Sequence, residues 1–305
     1  MKRFFSITKS LRSSDAQIHA ICEQAKALEI INHGTHIVED GTPVVVRCDG
    51  RAFSKFTKFF RKPFDVNINE AMVLASADVL SEFCGTTAYT FSDEASFVMY
   101  YKNTKGGLPF NGKVQKIISA YASTMTARFG LYLRVLVERD QPHLSEQLSY
   151  EAPTFDARIF KAPTNKDIFN CFTFRYHDCF RNSLNAFGQS RLGDQAYGKN
   201  ATNLIRELEK SGHLYYETPD AFRKGTFIKE SQVTSEGVNP KDPSKLTSYT
   251  RRVLVPNSTI QISGLNEEQV ADLVLSQFWP SAVCNKNRIP KGIEKKISNI
   301  KNINL

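Results

Sequence analysis

Between Pro43 and Phe160 the chain changes its hydrophobic period in an order that few topologies accommodate. Residues 44–48, opening on three valines, read as a strand that ends on Asp49-Gly50. Residues 67–84 take helical spacing, with Ile68, Met72, Ala75, Val79 and Phe83 on one face and Gly85 as the stop. Residues 88–91 and 95–101 read as two strands closing on Ser92-Asp93-Glu94, a hairpin. A second helix is expected over 114–129, through Ile117, Ile118, Tyr121 and Met125, ending at Gly130. Residues 155–160 then form another strand. This is the split βαβ order, so the fold class expected is α+β with a ferredoxin-like (βαββαβ), palm-type core.

That order decides where the acidic residues fall. A helical crossover makes the first and second strands run parallel, and a tight turn makes the second and third antiparallel. The end of the first strand and the hairpin turn then lie at one edge of the sheet. Asp49 sits at the first and Asp93-Glu94 at the second. Carboxylates brought so close repel and raise each other's pKa. Mg²⁺ removes that conflict, because it favours one or two carboxylates with water and phosphate oxygens. Two such ions about 3.5–4 Å apart can activate a hydroxyl and steady a pyrophosphate leaving group. Gly50 has no Cβ, so the backbone of residues 50–54 can approach a metal or a triphosphate. Arg51, Lys55 and Lys62 are placed to neutralise phosphate charge. Asp-Gly and Ser-Asp-Glu are each ordinary turn sequences; only their joint placement points to a two-metal nucleotidyl-transfer centre.

After residue 160 the chain turns helical. Thr164 or Asn165 can cap a long helix to Phe187, closed by Gly188, and a further helix is expected over 201–211. Residues 224–228 and 252–255 read as late strands. The Ser-, Pro- and Lys-rich segment 231–248 between them reads as an exposed loop. The organisation expected is a lead-in over 1–42 with a helix at 15–30, one catalytic domain over 43–280, and a basic tail over 281–305. The catalytic domain divides into a core over 43–160 and a helical and strand extension over 161–280.

The formal net charge of +9 points to a polyanionic partner, and about half of the excess lies in the tail. Six scattered cysteines without a C-x-x-C pair argue against a zinc site or a disulfide framework. A cytosol-like compartment is expected, with an organellar role for the basic start left open. No stretch approaches the roughly 20 apolar residues that cross a bilayer, so no membrane partner is expected.

The residues also resemble a family, the tRNA(His) guanylyltransferases and the Thg1-like 3′–5′ RNA polymerases. Residues 44–56 resemble V-V-R-x-D-G-R-x-F-x-x-F, and Lys62-Pro63 with Asp65 resembles K-P-x-D. Residues 92–98 resemble S-D-E-x-S-F-V, 155–158 resemble F-D-G-R, and Arg175 with Asp178-Cys179 resembles W-R-x-x-D-C. Lys199-Asn200, residues 223–226 and Phe278-Trp279 follow in order. The resemblance implies addition of nucleotides to the 5′ end of tRNA with two Mg²⁺ ions, GTP and ATP or other nucleoside triphosphates as substrates, and a homo-oligomer, a tetramer. It implies that Asp49, the Gly50 carbonyl and Asp93 hold metal, and that Asp49, Asp93 and Glu94 are catalytic. Asp49, Gly50, Arg51, Ala52, Phe53, Ser54, Ser92 and Asp93 would line the nucleotide. Lys62, Lys199, Asn200, Arg223 and Lys224 would meet phosphate or RNA. Two histidines of the family are replaced, by Ser54 and by Phe180. That departure favours templated repair or extension of truncated 5′ ends over dedicated G addition to tRNA(His).

Two other readings share the element order. An RNA-binding RRM would be a binding module, and residues 97–100 partly mimic the end of its RNP1 motif. A palm-type nucleotide cyclase would share the carboxylates without needing RNA. Phe53, Phe56 and Phe60 are expected in the core, with Lys55, Lys58 and Arg61 outward, and His177 is expected to be a packed helix residue.

Overall fold

The computed structural model describes Val38 and residues 41–101, 107–239 and 242–280. The expected leading helix at 15–30 and the basic tail at 281–305 lie outside the described residues. The strands are β1 (Val44–Arg51), β2 (Thr87–Phe91), β3 (Glu94–Met99), β4 (Thr154–Lys161), β5 (Thr226–Asn239) and β6 (Asp242–Asn257). The main helices are α1 (Val66–Glu82), α2 (Val114–Asp140), α3 (Asn165–Leu192), α4 (Ala201–Lys210) and α5 (Glu267–Leu275). One sheet runs β4-β1-β3-β2-β5-β6, antiparallel at each pairing. β1 and β2 are both antiparallel to β3, so they point the same way without touching.

The period-2 alternation of β1 assigns the layers. Val44, Val46 and Cys48 pack with Met72 and Leu80 of α1 and Ile117, Phe129 and Leu136 of α2. Val45 faces the other side, with Ile168 and Phe172 of α3 and Val270 and Leu273 of α5. Burying each such side chain is worth about 1.5–3 kcal/mol, so two packed faces hold the central strands rigidly. Asp65 caps α1, accepting from the amides of Asn67 and Ile68 at 2.9 and 3.3 Å, and Gln141 Nε2 donates to it at 2.8 Å. A capping box between Thr164 and Asp167 starts α3.

Several boundaries differ from expectation. α2 continues through Gly130 to Asp140, because Leu133, Leu136 and Val137 prolong the buried stripe begun by Phe129. Their burial outweighs the roughly 1 kcal/mol that a mid-helix glycine costs. α3 likewise passes Gly188 and ends at Gly193. A Cβ on Gly188 would lie 2.9 Å from both δ-methyls of Leu204, so that glycine lets α4 approach. Between α2 and β4 lies a short helix, Ser145–Tyr150. The expected loop 231–248 is a correction too: it forms most of a long β5–β6 hairpin, paired from Phe227↔Asn257 outward to Asn239↔Asp242. The C-terminal half is therefore less helical than expected. At the hairpin's base Lys229 is fully buried, donating to Thr87 Oγ1 at 2.6 Å, to the Thr86 carbonyl at 3.3 Å and to the Ser276 carbonyl.

Candidate active site

The site is built where β1 leaves the sheet. β1 is flanked by β3 and β4, and Asp49 stands opposite Glu94 on one side and Asp156 on the other. Directly opposed residues project to the same face, so three carboxylates form a row across three strands. Like charges so placed destabilise a sheet unless cations intervene. Arginines do so here. Arg47 NH2 lies 3.6 Å from Asp49 Oδ2, and Arg47 Nε lies 3.7 Å from Glu94 Oε2. Arg175 of α3 donates to Glu94 Oε2 at 2.8 Å, and Arg158 Nε lies 3.9 Å from Asp156 Oδ1.

The turn closes on this row. The Gly50 amide donates to the Asp93 carbonyl at 3.0 Å, which fixes the β2–β3 turn against the end of β1. A Cβ on Gly50 would fall 2.5 Å from Phe53 Cδ2 and 2.9 Å from Asp93 Cβ, so only glycine permits this approach. Ala52 and Ser92, on the two sides of the contact, both have φ of 50°, a region that side chains other than glycine rarely adopt. Such strain concentrates at ligand-binding positions. Ser92 Oγ donates to Asp93 Oδ1 at 3.0 Å.

Electrostatics separate the carboxylates into two kinds. Burial raises the Glu94 carboxyl above its usual range, while Arg175 and Arg47 pull it down and the charge of Asp49 pushes it up again. Its Oε2 carries the arginine contacts, and its buried Oε1 has no hydrogen-bond partner. The Asp93 carboxyl is also raised, first by burial and further by Asp49, with the Ser92 hydroxyl and a backbone amide opposing. Asp49 is the more open, its side chain 36% exposed. Asp49 and the partly buried Asp93 are the hard-oxygen pair at this edge, and Glu94 is a buried brace beside them. The two buried thiols are inert: burial pushes Cys179 up to about 12 and Cys48 higher still.

The other sequence-predicted residues divide. Arg51, Ala52 and Ser54 are exposed beside the turn, whereas the Phe53 ring is buried against Phe56, Phe129 and Phe155. Phe56 and Phe60 are buried as expected, and Lys55, Lys58 and Arg61 are exposed. Lys62 shares with Ser92, Phe53 and Asp65 a cleft at whose wall Phe64 stacks on Phe222, 4.8 Å between centroids. Asn200 caps α4 by accepting from the Asn203 amide at 2.9 Å, with exposed Lys199 beside it. Arg223 and Lys224 both bind Asp220. His177 is exposed, not packed, with Tyr176 edge-on at 6.2 Å. Arg47 and Arg175 were given no role from the sequence. The signals were an arginine two residues before Asp49, hence on its face, and another between the inward Phe172 and Tyr176 of α3.

Among the described residues no three His, Cys, Asp or Glu side chains converge on a metal position. The donor set at hand is two carboxylates and a backbone carbonyl. Nor is any helix among them long and apolar enough to cross a membrane.

A mixed α/β protein that gathers carboxylates, a close-approach glycine and arginines at one sheet edge has the features of a nucleotidyltransferase. Residues 23–163 match the family model for Thg1, tRNAHis guanylyltransferase. The chain is 30% identical over 255 residues to the tRNA(His) guanylyltransferase of Debaryomyces hansenii, covering 78% of this chain and 89% of that protein. The chain belongs to the tRNA(His) guanylyltransferase family. Its fold is similar to that of a bacterial Thg1-like protein solved in complex with ATP, with a TM-score of 0.65 and 22% identity over 84% of this chain and all of that one. The same likeness holds for a bacterial Thg1-like protein in complex with GTP, with a TM-score of 0.61 and 22% identity over 82% and 99% of the two chains. Membership displaces the RRM reading, and the structure gives the physical reason. Phe97, Val98 and Met99 are fully buried and cannot stack on bases.

Proposed function

We propose that this protein adds nucleotides to the 5′ end of tRNA in the 3′–5′ direction, Mg²⁺-dependently, and that it extends or repairs truncated ends by templating. The observation that carries the reading is the Gly50–Asp93 backbone bond, which brings Asp49 and Asp93 to one place at the sheet edge. The strand order β4-β1-β3-β2 within the sheet supports a ferredoxin-like, palm-type core.

The residues fit a divalent ion. Asp49, Asp93 and the Gly50 carbonyl offer hard oxygens, Gly50 leaves the space that a Cβ would fill, and the raised Asp93 carboxyl is what a bound cation relieves. Two bound Mg²⁺ ions would supply charge neutralisation for a triphosphate and activation of the attacking hydroxyl. Glu94, held by Arg175 and Arg47, keeps the β3 end of the turn in place, so Asp93 is presented at a fixed position. Ser92 orients the Asp93 carboxylate through its hydroxyl. The exposed Arg51, Ala52 and Ser54 and the cleft holding Lys62 would meet a nucleoside triphosphate at this edge, and GTP and ATP are the substrates the family points to. Lys199, Asn200, Arg223 and Lys224 are assigned to the RNA side.

Repair is favoured by the residue at 180. Phe180 sets its ring edge-on to Tyr215, at 5.8 Å, where the family carries a histidine. A ring in a hydrophobic contact offers neither hydrogen bond nor proton to a particular terminal base pair. The test offers labelled nucleotides one at a time with tRNA(His) and with 5′-shortened tRNAs. Incorporation that needs Mg²⁺ and follows the opposing base is expected, and an Asp49→Ala or Asp93→Ala variant with wild-type incorporation would sink the reading. Addition of G to tRNA(His) without regard to the opposite base would overturn the preference for repair.

A further inference from the structure

α3 and α5 cover only part of their face of the sheet. Beneath them lie Val45, Tyr89, Phe91, Val98 and Phe227 of β1, β2, β3 and β5. Among the described residues no helix covers the exposed Arg158 and Phe160 of β4, at the sheet edge, on that face. Its residues Asp156, Arg158 and Phe160 stand opposite Asp49, Arg47 and Val45, and so project to the same side as the carboxylate row. Arg158 is exposed and Phe160 is 42% exposed. Near the carboxylate row stands Phe174 of α3, 57% exposed and next in sequence to Arg175. The guanidinium of Arg175 lies 3.9 Å from the centroid of the Phe174 ring, and Arg175 is itself anchored on buried Glu94. The strip thus starts at Asp49 and Glu94 and runs along β4, with Phe160 on its floor and the braced Phe174 ring at its catalytic end.

We propose that this strip holds unpaired RNA nucleotides next to the reacting end, with bases stacked on Phe160 and Phe174 and phosphate met by Arg158; the inference rests on the nucleotide-addition reading above. Two large rings are left exposed here beside a floor of mixed charge, Arg158 with Asp156, that leads to the catalytic carboxylates. Rings interleaved with arginines are how single-stranded nucleic acid is held, since every base has a π-face. A protein partner would need an apolar centre, and the floor between the rings is Arg158 and Asp156 instead. Lys161, the last residue of β4, and Lys166, at the start of α3, are both exposed and add positive charge around the far end.

The test measures tRNA binding without nucleotide and, separately, the KM values for tRNA and for the nucleoside triphosphate. Phe160→Ala and Phe174→Ala are each expected to weaken tRNA binding and raise the tRNA KM about tenfold, and about a hundredfold together. The KM for the nucleoside triphosphate should not move, and Phe160→Tyr and Phe174→Trp should restore the tRNA values. Tyr150→Ala removes a ring that is 83% exposed beside the opposite face, and should change neither quantity. Repeating the series on tRNA trimmed of its unpaired 3′ nucleotides separates two sources of the strand. The alanine effect disappears if the strip holds the 3′ strand, and persists if it holds unpaired 5′ nucleotides. A double variant that binds tRNA as the wild type does overturns the strip, whether or not incorporation is seen. A wild type that binds tRNA through the strip but incorporates nothing overturns the catalytic reading alone.

Discussion

At the scale of single residues the site depends on Gly50. A methyl group there would meet the Phe53 ring and the Asp93 Cβ at distances no packed atom tolerates, so the turn must move away from β1. Gly50→Ala is expected to abolish incorporation and to destabilise the fold by about 1–3 kcal/mol, the usual cost of overpacking. Urea unfolding and an incorporation assay check the two effects together; a variant with both properties unchanged would show that the close approach is not required. Asp93 and Glu94 give a second residue-scale expectation. Both carboxyls are raised in the folded protein above unfolded values of about 3.9 and 4.3. The folded state therefore binds more protons in the window above pH 4. The stability these groups contribute is full below that window and is lost as pH rises through their raised values. In metal-free protein, Asp93→Asn should make the fall in urea midpoint between about pH 4 and pH 7 shallower than in wild type. An identical slope would show that Asp93 is not desolvated.

At the scale of elements, legibility followed how one-sided each segment is. β1 and α1 each carry a run or stripe that one environment explains, and their sequence periods identify them. Gly188 is a close approach to Leu204 and not a helix stop, which only the neighbouring helix decides, and Gly130, with nothing within 4 Å of an added Cβ, is carried through by the buried stripe on either side of it. The β5–β6 hairpin was unreadable for a different reason. Beyond the Gln232–Arg252 pair no residue of it whose burial is described is buried, so no alternation of apolar and polar residues marks it, although Val233, Thr234, Thr247 and Thr250 all favour strands. Residues that bury nothing add little to the core. Replacing residues 233–251 by Asn-Gly, which joins the paired Gln232 and Arg252 through a tight turn, is expected to leave the thermal midpoint within a few degrees of wild type. Unfolding followed by circular dichroism checks this, and a large drop would mean that the ribbon packs on part of the molecule beyond the described residues.

At the scale of the whole molecule, the element order was enough to say that Asp49 and Asp93 share a sheet edge, because that follows from strand directions alone. The arginines that make the carboxylate row tolerable were not foreseeable in the same way. Arg175 reaches Glu94 across 81 positions of sequence, and no local pattern records such a contact. Net charge is the remaining property that belongs to no single element. Of the +9, more than half comes from residues 281–305, where six Lys and Arg stand against Glu294. If the RNA is held largely through its phosphates, its affinity must fall linearly with salt on logarithmic axes, by about 0.7–0.9 in slope for each phosphate neutralised. Removing residues 281–305 is then expected to weaken tRNA binding at low salt and to make that slope shallower. Phe160→Ala should weaken binding with the slope intact, because stacking releases no counterions. Titrations of labelled tRNA from 50 to 200 mM salt separate the two, and a truncated protein with the wild-type slope would show that the tail does not touch RNA.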